Sequence, residues 1–102
     1  MATDWSGLSE RDAAVARTIL RKMLRKTVTG GHKKQIDTVK RWGQATEDEG
    51  RAAELLHAMA TDPAAPVEYY GGGHRENVRL TSIEAAKRFL VEELGGEEPF
   101  GV

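Results

Sequence analysis

The chain has 102 residues, no cysteine and a net charge of −1; this length buries one core unaided, and the missing thiols exclude a disulfide framework and a thiolate metal site. No apolar run reaches the length of a membrane span and MATDWSGLSERD lacks the charged-then-apolar pattern of a signal peptide, so a soluble cytoplasmic domain is expected. The charge is unevenly spread: residues 1–45 hold ten Lys/Arg against four Asp/Glu, a balance of +6, and residues 46–102 hold five against twelve, a balance of −7. Such asymmetry fits a basic surface that meets a polyanion, and equally the solvated outer faces of surface helices.

Ser9-Glu10-Arg11-Asp12 reads as a capping box, with Asp in place of the usual Glu or Gln. It opens a helix with apolar residues at Val15/Ala16, Ile19/Leu20, Met23/Leu24 and Val28. The other face carries Arg17, Arg21 and Arg25 at i, i+4 spacing, with Lys22 and Lys26 beside them. Thr27-Val28-Thr29 is β-prone and Gly30-Gly31 stops any helix, so a strand of one or two residues is expected here. A second helix runs from about Lys33 to Arg41 or Trp42, with Ile36, Val39 and Trp42 inward and Lys33, Lys34, Lys40 and Arg41 outward, and Gly43 ends it. Thr46-Glu47-Asp48-Glu49 reads as a full capping box for a third helix with Ala52, Leu55/Leu56 and Met59 as its apolar stripe.

Asp62-Pro63 and Pro66 close that helix. VEYYGGGHRENVRLT, residues 67–81, then alternates apolar and polar residues on both sides of three glycines, the pattern of a β-hairpin with a long tip. Thr81-Ser82-Ile83-Glu84 reads as a further capping box, starting a last helix with Ile83, Ala86, Phe89/Leu90 and Leu94 buried and Gly95 as its stop. The ending GGEEPFGV holds too little apolar surface to offset the entropy of ordering.

The order helix, short extended piece, helix, helix, hairpin, helix, with a tight turn at Gly43-Gln44-Ala45, resembles the winged helix-turn-helix family of DNA-binding domains. ENVRLTSIEAAKRFL is similar to the passage from the last wing strand into the closing helix of many winged-helix transcription regulators. The resemblance covers Ser9 to Leu94 and implies an α+β winged-helix domain over residues 9–94, an N-terminal arm over 1–8 and a flexible tail over 95–102. It also implies that the third helix lies in the major groove, that the hairpin tip touches backbone or minor groove, and that the extended piece before the second helix joins the hairpin as a third strand.

DNA affinity comes mostly from Lys and Arg against phosphates, and Arg25, Lys26, Lys33, Lys34, Lys40 and Arg41 cluster around Gly30-Gly31. Gly30-Gly31-His32-Lys33-Lys34 would also place free backbone N–H groups and two lysines at the start of the second helix, where phosphate is well accommodated. The resemblance makes Arg75 the wing contact, His74 a second one, and Arg51 a reader of guanine from an exposed helix face of Glu47, Gly50, Arg51, Glu54, His57 and Ala58. Glu47-Asp48-Glu49 has the wrong sign to face phosphates, although it suits a helix start.

His32, His57 and His74 fall in three different elements, which argues against a zinc site, and no nucleotide-binding loop, nucleophile elbow or pair of carboxylates in an evident cleft is found. Neither catalysis nor a cofactor is expected. Trp5 is expected to pack the arm onto the domain, Trp42 to sit at the core boundary, and Tyr70 to point to the opposite sheet face from Tyr69. Leu90, Val91 and Leu94 exceed what one buried face needs, which suggests a homodimer through the terminal helices. The expectation is a cytoplasmic transcription regulator that binds double-stranded DNA. A winged-helix protein-interaction module without direct DNA binding, or an RNA-binding variant, remains as the alternative.

Overall fold

The apolar residues at positions 15, 16, 19, 20, 23 and 24 are all buried along one side of a helix, α1 (Glu10–Arg25), in a computed structural model that describes residues 4–29, 34–70 and 77–97. Its start is the expected one: the Ser9 side chain accepts a hydrogen bond from the Asp12 N–H at 3.1 Å. Its end is less ordinary. Thr27, just past the helix, has φ +52°, and the Val28 N–H closes back on the Met23 carbonyl at 3.0 Å. This is a left-handed helix stop built on a β-branched residue where glycine is usual.

The β-prone piece after α1 forms only a parallel bridge between Thr29 and Leu80, with the Leu80 N–H donating to the Val28 carbonyl at 2.7 Å. The first strand lies later, as β1 (Lys34–Gln35), and the second helix is correspondingly short, α2 (Ile36–Val39), with Ile36 and Val39 buried. The expected helix from Lys33 is therefore corrected. Lys34 and Gln35 are extended because their backbones pair with the hairpin, Lys34 opposite Val78 and Gln35 opposite Asn77, a pairing that helical periodicity does not encode. Gly43 turns the chain out of this segment at φ +70°.

The capping box expected at Thr46 does not form either. Thr46–Asp48 is a single 3-10 turn, and α3 (Glu49–Thr61) begins after Asp48 with no side-chain cap. Glu49, the carboxylate of that box, is paired instead with Arg41, and the neighbouring Asp48 with Arg11. Ala52, Leu55, Leu56 and Met59 are buried as the stripe requires.

The hairpin strands β2 (Val67–Tyr69) and β3 (Asn77–Leu80) pair with Val67 opposite Leu80 and Tyr69 opposite Val78, the register set by their alternation. Thr81 continues that pairing, its N–H donating to the Pro66 carbonyl at 2.9 Å. The cap of α4 (Ile83–Glu92) therefore falls one residue later than expected, on Ser82, which accepts from the Ala85 N–H at 3.0 Å. Gly95 ends that segment at φ +68°, and the Gly96 N–H bonds the Leu90 carbonyl at 2.8 Å.

Among the described residues these elements make an α+β fold of four α-helices and one antiparallel sheet of three strands in the order β1-β3-β2. Side chains from α1, α3, α4 and the inner sheet face share one core, with Ile19, Leu20, Met23, Leu24, Leu56, Met59, Val78, Leu80 and Leu90 fully enclosed. The arm joins it: Trp5, in a 3-10 turn (Trp5–Gly7), is buried edge-on against Phe89, with ring centroids 5.6 Å apart. Among the described residues no helix is long and apolar enough to cross a membrane.

Candidate nucleic-acid interface

The candidate cations fall into two groups, those held by acids and those left toward solvent. Arg25 stands exposed in the last turn of α1, and Lys34 stands exposed on the edge strand β1. Neither has an ion pair among the described residues. Lys26 follows Arg25 and places its Nζ 5.0 Å from the centroid of the half-buried Trp42 ring, a cation–π contact that ties the end of α1 to the turn after α2. The same side of α1 meets that turn through Lys22 and Thr18, which lie against Gly43. Lys40 and Arg41 sit on the turn itself, Lys40 bonded to Asp37 at 3.1 Å and Arg41 to Glu49 at 3.4 Å. The structure thus brings Lys26, next to Arg25, over Trp42, whose chain neighbours Lys40 and Arg41 are paired with acids, and sets Lys34 on the sheet edge.

The phosphate site expected at a helix start near Lys33 is not built that way. Lys34 is in a strand, and α2 starts only at Ile36 and is a single turn. Lys33, His74 and Arg75 lie outside the described residues.

Arg51 occupies the exposed face of α3, where it is committed to acids. Its Nε and Nη2 donate to the two Asp12 carboxylate oxygens at 2.9 and 2.7 Å, and its Nη1 donates to Glu54 at 2.8 Å. Hydrogen bonding from Arg51 holds the Asp12 carboxyl below its ordinary range, and the same bond holds the guanidinium charged. One step along, the Arg11 Nε donates to Asp48 at 3.0 Å, and that bond raises the guanidinium's affinity for its proton. Further down the face, the Tyr69 hydroxyl and His57 Nδ1 share a 2.6 Å hydrogen bond, and Thr61 donates to the carbonyls of His57 and Ala58 within α3 itself.

The outer face of the sheet is also engaged. Arg79 bonds its cross-strand neighbour Glu68 at 2.8 Å and lies over the Tyr70 ring, 4.1 Å from its centroid, on the face expected for Tyr70. On α4 the apolar surplus largely disappears: Leu90 and Leu94 belong to the domain's own core, and Val91 is the large hydrophobic left exposed.

Of these partners, sequence spacing alone signals Glu54 for Arg51, at i, i+3, and Asp37 for Lys40. Asp12, Asp48 and Trp42 reach their partners only through folding and carry no local signal. A scan of protein-family models finds no match to this chain, and searches of curated proteins and of solved structures find none.

Proposed function

We propose that this chain is a winged-helix domain that binds double-stranded DNA through its phosphates, most simply as a transcription regulator. The observation that carries the reading is that Arg25, the chain neighbour of the Lys26 that lies over Trp42, and Lys34 on the edge strand are exposed and, like Arg21 and Arg88, have no ion pair among the described residues. Cations already neutralised by neighbours gain little from phosphate, whereas unpaired ones release counterions when DNA binds. The helix order and the sheet order β1-β3-β2, with a short strand before α2 joining the hairpin, support the winged-helix assignment. On this reading Lys33, His74 and Arg75, which lie outside the described residues, are further candidate phosphate contacts. Dimerisation is not part of the proposal, because among the described residues the one large hydrophobic left exposed is Val91.

Replacing Arg25 and Lys34 together by alanine is expected to weaken all duplexes alike and to flatten the slope of log affinity against log salt by about 2. An unchanged affinity contradicts the reading. The engagement of polar side chains on α3 favours one second reading, a winged-helix module whose partner is a protein. Absence of DNA binding at low salt would select it.

A further inference from the structure

We propose that the domain grips duplex DNA without reading its sequence, through the α1–β1 side, with α3 held out of the major groove. The inference rests on the DNA-binding reading above and concerns which surface does the work.

Sequence is read by side-chain donors and acceptors against base edges, and those groups must be free to turn outward. On α3 the exposed polar side chains are Arg51, Glu54, His57 and Thr61, and each already has a partner in the fold. Arg51 is bidentate to Asp12 and bonded to Glu54; His57 is bonded to Tyr69; Thr61 is turned back on its own helix. The remaining exposed position along the face is Gly50, which offers no side chain. For Arg51 to reach a guanine it must leave two carboxylates, and both would then face the duplex uncompensated. Asp48 and Glu49 at the start of α3 are paired with Arg11 and Arg41, and Glu47 before them, exposed and in no ion pair among the described residues, adds charge of the same sign as phosphate at the end of the helix that otherwise attracts anions.

One exposed ion pair opens readily. Here the rearrangement involves three bonded side chains together and leaves an acidic surface, so the face is poorly disposed toward DNA even when opened. Arg25, Lys26 and Lys34 face no such obstacle, and phosphate contacts carry no sequence information.

The test is selection of bound duplexes from a random-sequence pool by the intact protein at low salt, followed by affinities for several unrelated duplexes of equal length. The expected result is no enriched motif and affinities agreeing within about threefold, against the roughly thousandfold or greater preference of a sequence reader. Arg51→Ala and His57→Ala, each checked for its melting transition, are expected to leave duplex affinity within about twofold, because neither touches phosphate. A motif enriched and bound at least about tenfold tighter overturns the inference and leaves the DNA-binding reading standing. A folded Arg51→Ala variant that loses affinity overturns it too. Failure of the wild-type protein to bind any duplex overturns both.

Discussion

Arg51 and Asp12 join α3 to α1 through two parallel hydrogen bonds, 2.9 and 2.7 Å long. Together with Arg11 on Asp48 they form a reciprocal pair of links, each helix start contributing one arginine and one carboxylate to the other. The geometry explains why an arginine on the exposed face of α3 serves the fold.

Asp12→Asn is expected to cost less than about 1 kcal/mol at neutral pH, the range for a partly exposed pair. The pH dependence has a definite sign. Because the Asp12 carboxyl is held below its ordinary value, its contribution is complete above an unfolded-state value of about 4 and is lost as pH falls through the native one. Urea unfolding of wild type and variant should therefore differ at pH 7 and converge under strong acid. A difference that grows on acidification would contradict the assignment.

Thr27 holds φ +52° at the end of α1, a conformation that costs an L-residue roughly 1–2 kcal/mol. Thr27→Gly should raise stability by about 1 kcal/mol and shift the denaturant midpoint upward. A lower midpoint would mean that the threonine side chain is itself a stabilising element.

Gly43 presents the opposite case. It has φ +70°, and a Cβ there would stand 2.7 Å from the Thr18 side chain of α1. Gly43→Ala should destabilise by about 1–2 kcal/mol from the backbone alone, with the close contact adding to this. If calorimetry instead finds the melting transition unchanged, the turn does not pack on α1 as described.

Trp5 Nε1 donates a 2.8 Å hydrogen bond to Asp62, a largely buried carboxylate 57 residues away that also accepts from the Ala64 N–H. Asp62→Ala leaves the buried indole N–H unsatisfied and should cost about 1–3 kcal/mol. Tryptophan fluorescence should report a wetter Trp5. Retention of both wild-type stability and wild-type emission would show that the arm does not depend on this bond.

These sites also show what was legible beforehand. α1, α3, α4 and the hairpin register follow from apolar periodicity, since burial of one face enforces the same spacing that the sequence displays. β1 was not legible, because Lys34-Gln35 is polar and its strand character comes from pairing with Val78 and Asn77 far along the chain. The Thr46 box fails for a related reason: its carboxylate, Glu49, is paired with Arg41 across the turn after α2, and the neighbouring Asp48 with the distant Arg11. Arg25 and Lys34 were visible as candidates from charge alone. What separated them from Arg51, Lys40 and Arg41 was the position of acids brought close only by folding.

Titrating a random-sequence duplex into isotopically labelled protein and mapping the backbone amides that shift shows whether duplex DNA meets the α1–β1 side. The largest changes should fall within residues 21–29 and 34–42, which include Arg25, Lys26, Lys34, Lys40 and Arg41, with Gly50, Arg51, Glu54 and His57 on α3 nearly unmoved. Changes centred on Gly50 to His57, or none anywhere at saturating duplex, would contradict it.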